Sequence, residues 1–143
     1  VDCGSGSTRA MLFREEAGAE MSWSAPDWST EALTEALRDN EGMRRLVLLL
    51  AEQLPEGPVL VGATAGIRYA LEAGLLMQEQ LDGFAACLRE TLGDRASFEV
   101  LSGEQEARAE WEGARFELRV RRGLVDAPPQ DCAGMFSGGG MSN

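Results

Sequence analysis

The strongest constraint on what this chain can fold into is an alternation of apolar stripes at helical spacing with short apolar runs that end in small residues. Met43, Leu46, Val47, Leu50, Ala51 and Leu54 recur at i, i+3, i+4 and i+7, which places them on one face of a helix. Pro55-Glu56-Gly57-Pro58 ends that helix, and Val59-Leu60-Val61 is then a short apolar run bounded by turn residues, as expected of a buried strand. Leu81, Phe84, Ala85, Leu88 and Leu92 write a second long helix that closes near Gly93 and leads into a strand at Phe98-Glu99-Val100-Leu101. Ser102 followed by Gln105 has the form of a capping box, so a third helix is expected to begin there. Ala107, Trp111, Ala114 and Leu118 would line one of its faces, and Gly123 follows its basic end.

Ahead of this region Val1 and Asp2 read as the end of a strand. The turn Cys3-Gly4-Ser5-Gly6-Ser7 follows, then a second strand from Thr8 through Phe13, giving a hairpin. Ala19 to Trp23 is a candidate third antiparallel strand, and from Ser29 the pattern turns helical. Near the other end, Asp126-Ala127-Pro128-Pro129-Gln130-Asp131 is a loop within the domain, and Cys132 to Phe136 reads as a last strand running into Gly138-Gly139-Gly140. A hairpin-led sheet continued by strand-helix units predicts an α/β domain of three layers. With 143 residues the chain is one domain by size.

Composition removes several classes of function. A net charge of -11 argues against a broad nucleic-acid or anionic-membrane surface, which needs clustered Lys and Arg. With no histidine, a His-based triad or a His-ligated metal is excluded, leaving carboxylates and hydroxyls to carry any chemistry. Cys3, Cys87 and Cys132 are scattered, odd in number and without a CxxC, and fit small buried hydrophobes better than a disulfide framework or a zinc site. No apolar run approaches the ~20 residues of a membrane span. The chain opens on Val1 and stops at Asn143 inside a glycine-rich turn, so both ends read as cut and targeting signals are expected, if present, outside it.

Four segments have chemical potential, and each has an ordinary structural explanation beside it. Asp2-Cys3-Gly4-Ser5-Gly6-Ser7-Thr8-Arg9 is a strand-end turn in which glycine permits close backbone approach and successive N–H groups can form an anion-binding concavity; it is equally an ordinary hairpin turn. Gly138-Gly139-Gly140-Met141-Ser142 has the same character, or is a flexible tail. Val61-Gly62-Ala63-Thr64-Ala65-Gly66-Ile67-Arg68 joins small residues to a hydroxyl and a guanidinium, or is a tightly packed strand-to-helix turn with Arg68 on the surface. In Ser102-Gly103-Glu104-Gln105-Glu106 the acids suit the positive end of a helix dipole, and a carboxylate there could also take a proton from an attacking water.

Taken in order, DCGSGSTR at 2–9, VGATAGIR at 61–68, LSGEQEARAEW at 101–111 and AGMFSGGGMS at 133–142 resemble the first conserved regions of the apyrase-type nucleoside phosphatases of the actin-like ATPase superfamily. The second block is the most specific. The resemblance implies a ribonuclease-H-like lobe of the actin-like ATPase fold, with residues 1–143 as the first, phosphate-binding lobe of a two-lobed protein whose second lobe is missing here. It implies hydrolysis of nucleoside tri- or diphosphates with Mg²⁺ or Ca²⁺, and a membrane or secretory setting that no segment here carries. Asp2 would hold the metal through its water shell. Gly4, Ser5, Gly6, Ser7 and Thr8, with Ala65 and with Gly138, Gly139, Gly140 and Ser142, would grip phosphates. Thr64 would position the attacking water and Glu106 would be its base, while Arg68 has no firm role.

The chain also departs from that pattern. Ser137 stands where the family usually has Asp, and Ala107 and Arg115 stand where it commonly has Gly and Asn. SGEQEAR and the GSGS turn look instead like the related exopolyphosphatase and guanosine-pentaphosphate phosphatase family, so a polyphosphate substrate is the alternative. Ser137 raises a further one, a degenerate phosphate-binding domain that no longer turns over.

Overall fold

Helical periodicity in the middle of the chain becomes the wall of a mixed α/β domain, seen in a computed structural model that describes residues 1–10, 12–15, 21–24 and 29–122. In chain order the elements are β1 (Asp2–Cys3), β2 (Thr8–Arg9), β3 (Leu12–Glu15), β4 (Met21–Ser24), β5 (Ser29–Thr30), α1 (Leu33–Ala36) and α2 (Asn40–Gln53). They continue with β6 (Val59–Ala63), α3 (Ala65–Glu72), α4 (Gln78–Leu92), a 3₁₀ turn at Gly93–Arg95, β7 (Ala96–Val100) and α5 (Gly103–Arg122). Five strands form one sheet in the order β5-β2-β1-β6-β7. β2 runs antiparallel to both its neighbours, while β1, β6 and β7 are parallel; α1 and α2 lead from β5 into β6, and α3 and α4 lead from β6 into β7.

The core follows from the stripes. Leu46, Val47 and Leu50 of α2 and Leu81, Phe84 and Leu88 of α4 are all buried, and they cover the inward-pointing Val59, Val61 and Ala63 of β6. Leu60, on the opposite face of that strand, is 73% exposed, as the two-residue period of a strand requires. Phe84 meets Phe98 of β7 edge-to-face, with ring centroids 5.1 Å apart.

Helix ends obey local chemistry. The Gly42 amide donates to Asp39 Oδ1 at 2.7 Å, Gly93 closes α4 at φ 68, and the Ser102/Gln105 capping box is formed in both directions at 2.8 and 3.2 Å. Cys3 is buried and Cys87 partly so, both as free thiols, and Cys132 lies outside the described residues. Burial pushes the Cys3 thiol up to about 12, which keeps it protonated and unreactive.

Three expectations are corrected. The second strand does not run unbroken from Thr8 to Phe13: Thr8–Arg9 stay in the main sheet, whereas Leu12–Glu15 pair with Met21–Ser24 in a separate two-stranded ladder. Alternation specifies which residues share a face and leaves open which neighbour they pair with. The candidate third strand is present among the described residues as Met21–Ser24, but outside the main sheet. Ser29–Thr30 are not helical; they cover the outer edge of β2, and regular helix begins only at Leu33 and again at Asn40 after Asp39 caps the break. On α5, Ala107 is exposed, and Glu106, Glu110 and Trp111 are the half-buried positions. Trp111 thus lies on the buried side as the stripe expects, Ala107 does not, and Glu106 is held inward beside Arg68, with which it pairs. The side chains of Ala114 and Leu118, the Gly123 helix end, the 126–131 loop and the 132–136 strand lie outside the described set. Among the described residues no helix is long and apolar enough to cross a membrane.

Candidate functional site

The site is a consequence of strand register. Asp2 pairs with Gly62 and Cys3 with Ala63, and on the other side of β6 Ala63 pairs with Val100. Three parallel strands therefore end level with one another, and the segments that leave them, 4–7, 64–66 and 101–103, emerge side by side. In open α/β sheets this carboxyl edge is where ligands bind.

The first segment is a tight turn closed by the Gly4 amide donating to the Ser7 carbonyl at 3.0 Å. Ser5 and Gly6 are exposed, Gly4 and Ser7 half-buried. Ser7 Oγ accepts from Arg9 Nε at 3.1 Å. Thr8 differs from its neighbours: its side chain is fully buried as the ladder partner of Cys3, and its hydroxyl perturbs that thiol without making a hydrogen bond of good geometry. What Thr8 could offer a phosphate is backbone.

The second segment packs directly on the first. A Cβ on Gly66 would stand 2.9 Å from both Cα and Cβ of Ser5, so the first turn of α3 can rest on the 4–7 turn only because residue 66 has no side chain. Thr64 occupies the N-cap of α3 with extended backbone, yet its hydroxyl makes no capping bond and stays half-buried at the edge. Ala65 is the first helical residue, where backbone N–H groups have no intrahelical acceptor.

The third segment carries the acid. Arg68 Nη1 and Nη2 both donate to Glu106 Oε2 at 3.1 Å, and Nη1 also donates to the Leu101 carbonyl. The side chains are 28% and 17% exposed, so this pair is partly shielded from water. Asp2 faces the same edge. Its carboxyl is pushed above the ordinary value first by partial burial, which strips water from the charged form; the Val1 amine and Arg9 pull the other way, and Glu106 and Glu110 add a smaller upward push. Asp2 nonetheless keeps contact with solvent, so the burial that raises it is partial.

Asp2, the 4–7 turn, Thr64, Ala65 and Glu106 are thus neighbours at one edge. Gly138, Gly139, Gly140 and Ser142 lie outside the described residues, as does Ser137. Among the described residues no group of three or more His, Cys, Asp or Glu is arranged to hold a metal. A cation at Asp2 would take its remaining ligands from water and phosphate oxygens, which is the habit of Mg²⁺. A cleft of about 410 Å³ lies elsewhere, among Leu37, Asp39, Met43, Gln80 and Gly83, and contains none of these residues.

The Asp2 shift has a measurable sign. A raised folded-state pKa means stability that is fully present below the unfolded value of 3.8 and lost as pH rises through the folded one. Asp2→Asn should therefore raise the thermal midpoint at pH 7 in metal-free buffer and leave it unchanged near pH 3. Adding a divalent cation should stabilise the wild-type protein and not the variant. Equal midpoints for both proteins at pH 7, with and without cation, would contradict this account.

Two features of the site were not visible as such in the sequence, the Gly66–Ser5 contact and the Arg68–Glu106 pair. Their signal was present only as residue types, since the partners are brought together by the β1–β6–β7 register. No protein-family model matches the chain, and no curated protein matches it significantly.

Proposed function

We propose that this chain is the first lobe of a metal-dependent phosphohydrolase that releases phosphate from nucleoside tri- or diphosphates. The observation carrying the proposal is the convergence of the Gly4–Ser7 turn, Thr64 and Glu106 at the carboxyl ends of neighbouring strands. The strand order, an antiparallel meander continued by two parallel strands through helical crossovers, supports the finer reading as a ribonuclease-H-like lobe of the actin-like ATPase fold.

In this mechanism the turn amides and the N-terminus of α3 hold phosphate oxygens, and the Thr64 hydroxyl orients a water for in-line attack on the terminal phosphorus. Glu106 accepts the proton that water loses as its oxygen bonds to phosphorus, and the bridging P–O bond breaks toward the departing nucleotide. A Mg²⁺ or Ca²⁺ held by Asp2 through water would supply charge neutralisation for the phosphate chain.

SGEQEAR and GSGS favour a second reading in which the substrate is polyphosphate. The test is phosphate release by the complete two-lobed protein from ATP, ADP and polyphosphate, with Mg²⁺ or Ca²⁺ and then with a chelator. Nucleotide hydrolysis abolished by the chelator is expected. Release from polyphosphate alone would transfer the assignment to the second reading, and no release above background would leave a phosphate-binding domain without turnover, the reading that Ser137 raises. The isolated chain is expected to release none, because half the cleft belongs to the second lobe.

A further inference from the structure

Arg68 sits on α3, and all the hydrogen bonds of its side chain among the described residues go to one place: the Leu101 carbonyl and Glu106 Oε2. It is not a loosely solvated surface arginine. Gly103 lies against it as well, since a Cβ there would stand 3.8 Å from Nη2. Both guanidinium bonds to Glu106 fall on a single carboxylate oxygen. Oε2 is occupied twice, and Oε1 accepts no hydrogen bond from the described residues.

The surroundings give this asymmetry a purpose. Asp2 and Glu110 lie within electrostatic reach of this edge together with the Val1 amine and Arg9, so charges of both signs act on it. An unanchored glutamate there would sample several orientations, because a glutamate side chain has several rotamers of similar energy. Two N–H groups of one planar guanidinium converging on Oε2 hold that oxygen in place more firmly than the point contact of an ammonium would.

We infer that Arg68 is a positioning residue: it holds Glu106 by Oε2 so that Oε1 is the oxygen presented to the attacking water. The inference rests on the phosphohydrolase reading above, and its test separates the two.

The structural arm uses NMR on this chain. Side-chain coupling constants of Glu106 should report one dominant rotamer in the wild-type protein and averaging in Arg68→Ala. A single unchanged rotamer in the variant overturns the inference. The kinetic arm uses the complete protein. Arg68→Ala should lower kcat by roughly 10- to 100-fold with KM unchanged, the scale of a misplaced reacting group. Arg68→Lys should recover part of the loss, and Arg68→Ala should cost little once Glu106→Gln is present. Full kcat in Arg68→Ala, or a raised KM with kcat intact, overturns the inference, the latter because it would place Arg68 on the substrate. Should Arg68→Ala fail to fold by circular dichroism, Arg68→Met keeps the aliphatic stem and is read by the same criteria. If Glu106→Gln retains full turnover, the phosphohydrolase reading fails, and the NMR arm still decides whether Arg68 orients Glu106.

Discussion

Glu106→Gln should reduce turnover of the complete protein by about 10²- to 10⁴-fold, the usual contribution of a positioned general base. The substitution is nearly isosteric, and the glutamine oxygen can still accept from Arg68, so the 3.1 Å contacts that orient the side chain have a neutral substitute. What disappears is a site for the proton of the attacking water. KM should change little, since Glu106 touches the water rather than the phosphate chain in this mechanism. Steady-state phosphate release at saturating nucleotide, with circular dichroism to show intact α5, makes the comparison. Undiminished turnover would remove Glu106 as the base and with it the reading of this edge as a hydrolytic site.

The second large effect concerns stability. Phe84 is fully buried at the centre of the contact between α4 and β7, and its ring meets Phe98 edge-to-face at 5.1 Å. Phe84→Ala removes that pair and leaves a void under α4 that the flanking Leu81 and Leu88 can only partly fill. The expected loss is about 3–5 kcal/mol, read as a lower urea midpoint with an unchanged m-value. Leu60→Ala is the matched control: Leu60 is 73% exposed on the outer face of β6, and its removal should fall within about 0.5 kcal/mol of wild type. Similar losses for both variants would mean that the inner and outer faces of the sheet have been misassigned.

Much of the fold was legible because the rules that build it act over a few residues. Leu46, Val47 and Leu50 identify the inner face of α2 by spacing alone, Gly93 ends α4 by its positive φ, and the Ser102/Gln105 box starts α5. The places where expectation failed are those where a distant partner decides. Ser29–Thr30 become a strand because β2 offers an edge, and Leu12–Glu15 leave the main sheet because another ribbon, Met21–Ser24, pairs with them. The helical stripe on α5 holds at Trp111, which is half-buried, and fails at Ala107, which is exposed while its neighbour Glu106 pairs with Arg68.

The same division holds for the candidate site. Turn chemistry marks Gly4, Ser5 and Gly6 as suited to an anion, and helix-dipole reasoning marks Glu106 as a comfortable carboxylate. Neither reveals that residue 66 must be glycine to let α3 approach Ser5, nor that the Thr8 side chain faces the core. Those facts require the register of β1 against β6.

That register has a dynamic consequence. The Gly62 amide donates to the Val1 carbonyl at 2.9 Å and the Leu101 amide to the Ala63 carbonyl at 2.8 Å, so the roots of all three site segments are stitched into one ladder. The amides of Gly62 and Leu101 should be among the slowest to exchange with deuterium, and the edge they define cannot open and close by itself. A phosphate group arriving here would meet a mould already set, with little ordering entropy to offset its contacts.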